Sequence, residues 1–154
     1  MELVKLHFPE YKFTLKGGEN ANQPLKIFDI VRKKYVRLSP EEWVRQHLMH
    51  FLIHDKGFPA SLMAIEKSVI VNSLQRRFDI LVYSTEHKPL LLVECKAPEV
   101  KISQSTFDQA ARYNLSLGAD YFVLSNGLNT YCCKLDNHEG RYDFLEEIPS
   151  YKNL

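Results

Sequence analysis

The sequence has few cysteines, no long apolar run and almost no excess of charge. Three cysteines are an odd number that does not suit a disulfide framework, which predicts a reducing, cytoplasmic compartment. No apolar stretch is long enough to cross a membrane, and the first residues lack the pattern of a signal peptide, so we expect no membrane partner. A net charge of +1 excludes a strongly basic nucleic-acid binder but not a local basic patch.

What the sequence does have is enough apolar material for one core. A chain of 154 residues with 45% hydrophobic residues predicts a single compact domain. We expect residues 1–38 to form lead-in strands and a loop that pack on a main domain at residues 39–154. The basic cluster at residues 32–37 is either a solvated edge strand or a contact for phosphates.

Residues 77–96 are the most informative stretch, because they predict two antiparallel strands joined by a polar turn. Asp79 lies at the start of the first strand, at 78–83, and is expected opposite Glu94 in the second, at 89–96. Alternation along the second strand predicts one face of Leu91, Val93 and Cys95 and an opposite face of Leu90, Leu92, Glu94 and Lys96.

Two acids and a lysine at one end of an apolar hairpin have a chemical use. The carboxylates of Asp79 and Glu94 can hold Mg²⁺, with the backbone carbonyl of Cys95 as a further oxygen ligand. Such an ion polarises a phosphodiester and lowers the pKa of an attacking water, while Lys96 stabilises negative charge in the transition state. The alternative is a salt bridge that ends a strand, since short motifs of this kind also arise by chance.

The first helix has a clear beginning and end. Ser39 is the expected N-cap, Pro40 the first helical residue and Glu42 the closing residue of a capping box. The helix is expected to continue to about Lys56 and to stop at Gly57. Glu42 serves either this cap or the active site as an extra acid.

Several charged residues around the hairpin are candidate contacts. Glu66 interrupts a predicted strand at 62–72, where it either joins the acids as a further metal ligand or pairs with a basic neighbour. The turn expected after that strand contains Arg76 and Arg77, which suit phosphates, or are solvated turn charges. Lys101 is a third predicted contact for nucleic acid.

A second helix follows the hairpin. Ser105 or Thr106 is the expected cap, and the helix is expected to end near Leu117, before Gly118. Gln109 and Tyr113 are one turn apart and project together. They are either ordinary exposed residues or contacts to the acids and the nucleic-acid backbone.

Three segments together resemble a known family. They are Arg-Phe-Asp-Ile-Leu-Val at 77–82, Leu-Val-Glu-Cys-Lys-Ala-Pro at 92–98 and Thr-Phe-Asp-Gln-Ala-Ala-Arg-Tyr at 106–113. The pattern is similar to the nuclease domain of the motor subunit of type I restriction endonucleases, in its small stand-alone branch within the PD-(D/E)xK superfamily. The resemblance covers about residues 34–151, and it departs at Phe78, where a proline is the usual residue.

The resemblance implies a fold and a set of site residues. The fold is α/β (α+β), a restriction-endonuclease-like mixed sheet flanked by helices, and the order of predicted elements agrees with it. The metal-binding acids are then Asp79 and Glu94, the catalytic lysine is Lys96, and Gln109 and Tyr113 match the Gln-x-x-x-Tyr motif of the family.

Two functions are therefore open. The first is a Mg²⁺-dependent DNA endonuclease, with Mn²⁺ as a substitute, whose partners are DNA and either other restriction-modification subunits or a second copy of the chain. The second is a non-catalytic nucleic-acid-binding or assembly module, which the near-neutral charge and a length too short for a helicase motor both favour. Binding of Mg²⁺ or Mn²⁺ separates the two hypotheses.

Overall fold

A computed structural model describes residues 1–154, the side chain of Val71 excepted. A small antiparallel sheet of three strands comes first in the chain, with the strands in sequence order. Its strands are β1 (Leu15–Lys16), β2 (Lys26–Asp29) and β3 (Lys34–Arg37).

The main sheet has six strands, also in sequence order. Its strands are β4 (Met63–Val71), β5 (Leu74–Tyr83), β6 (Pro89–Cys95), β7 (Tyr121–Ser125), β8 (Thr130–Asp136) and β9 (Arg141–Leu145). Neighbours are antiparallel except β6 and β7, which are parallel because a helical crossover joins them. The predicted fold class, a mixed α/β sheet flanked by helices, is confirmed.

The helices begin close to where the sequence places them. In α1 (Pro40–His50) the Ser39 side chain accepts a hydrogen bond from the backbone N–H of Glu42, as predicted. A π-helical turn at Phe51–Asp55 extends the helix, which ends at Gly57, where φ is 74°. Helix α2 (Gln104–Leu115) begins earlier than expected, because Ser103 is the cap. Short 3-10 turns lie at Ala60–Leu62 and Tyr151–Asn153. No helix in the described chain is long and apolar enough to cross a membrane.

Each face of the main sheet packs against one helix. Leu91, Val93 and Cys95 belong to the cluster formed with α1, as alternation predicts, while Leu92 belongs to the cluster under α2. The prediction for Leu90 is wrong, since it packs with the α1 cluster. A bulge causes this exception: the register between β5 and β6 shifts after Val82, so Leu90 becomes an extra residue.

Strands β4 and β5 form a longer hairpin than the sequence predicts. Arg76 and Arg77 lie within β5 and pair with β4, so their prediction as turn residues is wrong. The turn consists of Asn72 and Ser73, both with positive φ. Pairing is interrupted once, at Glu66, where φ is 54°.

Candidate functional site

The acids predicted as metal ligands lie on neighbouring interior strands. Strands β5 and β6 pair antiparallel through Ile80 and Val93, which confirms the predicted hairpin. Asp79 precedes Ile80 and Glu94 follows Val93, so each lies one position beyond this last pair, where the two strands stop pairing. Charged groups at the end of an apolar ladder are partly withdrawn from water, so they need partners.

The Asp79 carboxylate is held from two sides. One oxygen, Oδ2, accepts from the backbone N–H of Cys95 at 2.7 Å. The other, Oδ1, accepts from Nη2 of Arg45 on α1 at 3.0 Å, and the side chain is 19% exposed. These two bonds fix the orientation of the carboxylate, and each oxygen keeps a lone pair for another partner.

Arg45 joins three carboxylates. Its Nη1 lies 3.0 Å from Oε1 of Glu42 and 3.0 Å from Oε1 of Glu66, in addition to the contact with Asp79. Burial acts to lower the pKa of Arg45, but the three carboxylates outweigh it and the pKa is raised. Arg45 is therefore a fixed cation at the edge of the site.

The small N-terminal sheet supplies a second arginine to the same network. Arg32, in the β2–β3 turn, donates to Asp29 at 2.7 Å, to Glu42 at 3.2 Å and to Glu66 at 3.0 Å. Asp29 is fully buried, and hydrogen bonds from Arg32 and Gln46 outweigh its burial, so its pKa is lowered. The carboxylate of Glu42 thus contacts arginines and not the helix start. Of the predicted capping box, the bond from the Glu42 backbone N–H to Ser39 is the one that forms.

Glu66 occupies the position between the site and the solvent. Its carboxylate contacts Arg32, Arg45 and Arg77, each at 3.0 Å. Burial raises its pKa, but these arginines outweigh that effect and the pKa is lowered. Of the two alternatives for Glu66, ion pairing is what the structure has, and the pairing partner Arg45 also links it to Asp79.

Glu94 and Lys96 are more exposed than Asp79. Their side chains are 41% and 37% exposed, and Nζ of Lys96 lies 4.0 Å from Oε2 of Glu94. Burial raises the pKa of Glu94, Lys96 opposes the rise and Asp79 adds to it. The net pKa shift is upward, because burial together with the repulsion from Asp79 outweighs the attraction of Lys96, and a cation near both carboxylates would relieve that repulsion.

The second helix places its motif residues on the surface. Gln109 is exposed, and Tyr113 is 57% exposed with its ring 3.1 Å from the guanidinium carbon of Arg76. Arg76 itself is 6% exposed and donates to the carbonyl of Tyr113 at 2.7 Å and to the side chains of Asn114 and Ser116. Arg76 therefore anchors the end of α2, and its guanidinium is not free to hold a phosphate.

The other two predicted contacts for nucleic acid are Arg77 and Lys101. The Arg77 side chain is 63% exposed and pairs with Glu66, and Lys101 is exposed before α2. Asp29, Arg45 and Gln46 are not singled out by the sequence, and Arg32 is named there only as part of a basic cluster and not as a partner of the acids. Two sequence spacings could have indicated the ion pairs. Arg32 follows Asp29 by three positions in a turn, and Arg45 follows Glu42 by three positions on the buried side of α1.

The residues present fit a hard cation. Two carboxylates with free lone pairs lie on adjacent strands, and the backbone carbonyl of Cys95 directly follows Glu94 in the chain. Mg²⁺ characteristically takes one or two carboxylates together with water and phosphate oxygens. Within the described residues, no cluster of three or more His, Cys, Asp or Glu side chains is arranged as a metal cage. A bound ion would thus depend on water and substrate for its remaining ligands.

Comparison with known proteins decides the family. Residues 40–149 match the family described as type I restriction enzyme R protein N terminus (HSDR_N). The chain belongs to this family. The R protein match begins at the first residue of α1, so β1–β3 and Arg32 precede it.

One solved structure is similar to this R protein family member. It is a fragment assigned to the HsdR subunit of a type I restriction enzyme from Vibrio vulnificus YJ016, with 20% sequence identity and a TM-score of 0.49. The similarity covers 73% of this chain and 24% of that chain, so this chain spans about a quarter of its length. No curated protein matches the sequence.

Proposed function

We propose that this chain is a Mg²⁺-dependent nuclease module of the PD-(D/E)xK type, which hydrolyses phosphodiester bonds of DNA in the manner of a type I restriction enzyme. The observation that carries the proposal is that Asp79 and Glu94 lie on two paired strands, each one residue beyond the last pair, with Lys96 beside Glu94. Membership of the R protein N-terminal family supports the same chemistry. DNA and other restriction-modification subunits are the partners that this function requires.

Each residue has a defined task in this proposal. Asp79, Glu94 and the carbonyl of Cys95 would hold Mg²⁺, or Mn²⁺ in its place, and such an ion polarises the phosphodiester and acidifies water. Arg45 and the Cys95 N–H orient the Asp79 carboxylate before substrate arrives. Lys96 would place its ammonium near the phosphate, where it stabilises the charge that develops on the non-bridging oxygens.

Gln109 and Tyr113 have a smaller part in the proposal. Both lie on the exposed side of α2, one turn apart, and both offer hydrogen-bond donors to a nucleic-acid backbone. The ring of Tyr113 is also fixed in place by its contact with Arg76. We propose that this pair positions the substrate strand next to Glu94 and Lys96.

One observation favours a second candidate function. Arg45 already neutralises Asp79, Glu66 and Glu42, as a bound cation would do. A non-catalytic nucleic-acid-binding or assembly module that keeps the family fold would have this property without binding any metal. The R protein family membership does not by itself separate the two candidates.

The test measures metal binding and cleavage together. Titration with Mn²⁺ by calorimetry, and incubation with plasmid DNA and Mg²⁺, should give binding and nicking for the wild type and neither for Glu94→Gln. Glu86→Gln is the matched control, because Glu86 also lies 4.0 Å from a lysine two residues away but sits in the turn between β5 and β6, at the other end of their pairing from Asp79. A folded wild type that binds no Mn²⁺ at millimolar concentration would favour the binding module.

A further inference from the structure

A two-stranded ribbon projects from the main sheet beside the acids. Strand β5 pairs with β6 only from Ile80 onward, whereas its earlier residues pair with β4 alone, from Lys67↔Phe78 to Val71↔Leu74. The four residue steps along this part of β4 extend the ribbon by about 13 Å. The ribbon is therefore long enough to contact a ligand several positions away from Asp79.

One face of the ribbon is supported by α2. Phe78 and Val69 pack against the α2 cluster, and Arg76 ties the same face to the C-terminal end of that helix by three hydrogen bonds and a stacked ring. These contacts hold the ribbon in place without involving its opposite face. A ribbon held in this way can bind a ligand without first being ordered.

The opposite face is exposed and polar. It consists of Ser68, Ile70, Gln75 and Arg77, which pair across the two strands and which we call the ribbon face. Ile70 is 76% exposed, and the ion pair of Arg77 with Glu66 is the one described polar contact that these four side chains make. Through that ion pair the ribbon face adjoins the Arg45 network and so Asp79.

The charge of the ribbon suits a polyanion. No acidic residue lies between Lys67 and Phe78, and the exposed charged residues in that stretch, Lys67 and Arg77, are both positive. Arg77 lies two positions from Asp79 on β5, which is a distance of about 7 Å along a strand. This distance is short enough for Arg77 and the acids to contact phosphates of the same DNA strand.

We propose that the ribbon face enters the major groove of a B-form DNA duplex whose backbone lies at Asp79 and Glu94. This inference rests on the proposed function and adds to it the form of the substrate and the groove that is contacted. A two-stranded ribbon fits the major groove of an undeformed duplex, which is about 12 Å wide, whereas the minor groove, about 6 Å wide, admits strands when the duplex is bent and opened. In the groove Arg77 contacts phosphate, while Ser68 and Gln75 face base edges and Ile70 offers an apolar contact.

The ribbon has its own charge-matched control. Arg77 lies on the ribbon face, whereas Lys67 pairs with Phe78 and lies on the face toward α2. Binding of a fluorescein-labelled DNA duplex is measured by anisotropy without divalent metal at several salt concentrations. Arg77→Ala should reduce the salt slope by about 0.9 and lower affinity roughly fivefold to tenfold near 0.1 M salt. Lys67→Ala should change affinity less than about twofold, since it loses no phosphate contact.

Two further measurements complete the test. Glu66→Gln removes the carboxylate that competes with phosphate for Arg77 but keeps the arginine, so it should not lower the affinity for the duplex, and a loss as large as that of Arg77→Ala would count against the phosphate contact. An RNA duplex of the same sequence should bind weakly, because the deep, narrow major groove of A-form RNA excludes the ribbon. Equal losses for Arg77→Ala and Lys67→Ala, or equal binding of DNA and RNA duplexes, would overturn the inference. If the protein cleaves DNA but gives either of these two results, only the inference about the ribbon is wrong. If it binds the DNA duplex through Arg77 but binds no metal, only the nuclease proposal is wrong.

Discussion

The two faces of the main sheet each bury one arginine, in opposite surroundings. On the α1 face Arg45 contacts three carboxylates, whereas on the α2 face Arg76 contacts a carbonyl, an amide and a hydroxyl oxygen and the ring of Tyr113. Burial acts to lower the pKa of both arginines. The carboxylates reverse this effect for Arg45, whose pKa is raised, while the pKa of Arg76 stays lowered.

This difference in the partners of the two arginines distinguishes the candidate site on the α1 face from the structural contact on the α2 face. The neutral acceptors around Arg76 are what is needed to join a strand to a helix end, and a hydrogen-bonded charge there needs no counter-ion. Four carboxylates gathered around Arg32, Arg45 and Arg77 on the other face carry a large desolvation cost, which ion pairing seldom recovers in full. An arrangement of that kind is expected where function requires the acids, and Asp79 is one of them.

The largest expected effect is the loss of Arg45. Arg45→Met removes the cation shared by Glu42, Glu66 and Asp79 and leaves their charges partly buried, which costs about 3–5 kcal/mol. The melting temperature, followed by circular dichroism at pH 7, should fall by roughly 6–20 °C. The deficit should shrink as the pH is lowered and the carboxylates take up protons. A deficit that is independent of pH would mean that Arg45 acts only by packing.

The second effect concerns rate rather than stability. Lys96→Ala removes a half-exposed ammonium at a strand end, so the protein should keep its fold and its affinity for Mn²⁺. Loss of a group that stabilises transition-state charge costs about 100- to 1,000-fold in rate, measured by plasmid nicking under single-turnover conditions. A variant that melts much earlier but cleaves at the wild-type rate would show that Lys96 is a salt-bridge partner instead.

The third effect is the counterpart of the first on the α2 face. Arg76→Met leaves the carbonyl of Tyr113 and the oxygens of Asn114 and Ser116 without their donor, at a cost of about 1–3 kcal/mol. No carboxylate accepts a hydrogen bond from Arg76 in the described structure, and its electrostatic interaction with a carboxylate is with Glu94. In thermal melts this loss should therefore change between pH 5 and pH 7 much less than the loss for Arg45→Met, which removes a cation shared by three carboxylates. A loss with the pH dependence of Arg45→Met would mean that the two faces do not differ as described.

The hairpin and the two helices could be predicted from local signals. Alternating apolar residues, a Ser-Pro helix start and a polar turn each depend on neighbours in the chain, and the Asp79–Glu94 position followed from the hairpin alone. Membership of the R protein family agrees with the resemblance read from the same segments.

The arginine network could not be predicted in the same way. Arg32 and Glu66 are far apart in the chain, and only the docking of the N-terminal sheet brings them together. The sequence places Arg76 and Arg77 together in a turn, as phosphate contacts or as solvated charges, whereas strand pairing turns Arg76 toward α2 and Arg77 away from it. Tertiary contacts of this kind leave no periodic pattern in the sequence.

The smallest expected effect is a gain in stability on removing Glu94. Burial and the proximity of Asp79 raise the pKa of Glu94 against the attraction of Lys96, so the folded state binds a proton more tightly than the unfolded chain does. Stability is therefore lost as the pH rises from about the ordinary carboxyl pKa of 4.5. The side chain is 41% exposed, and solvent screening limits the loss to less than about 1 kcal/mol.

Glu94→Gln should accordingly melt a few degrees higher than the wild type at pH 7 in metal-free buffer, about 2–4 °C at most. The gain should vanish near pH 4, where Glu94 is protonated in both states, and Mn²⁺ should reverse it, because only the wild type gains stability from the ion. Glu86→Gln, at the same 4.0 Å from its lysine but 78% exposed, should change the melting temperature at neither pH. A Glu94→Gln variant that melts below the wild type at pH 7 would indicate that Lys96 outweighs Asp79, and that the carboxylates do not repel each other in the way that a cation site requires.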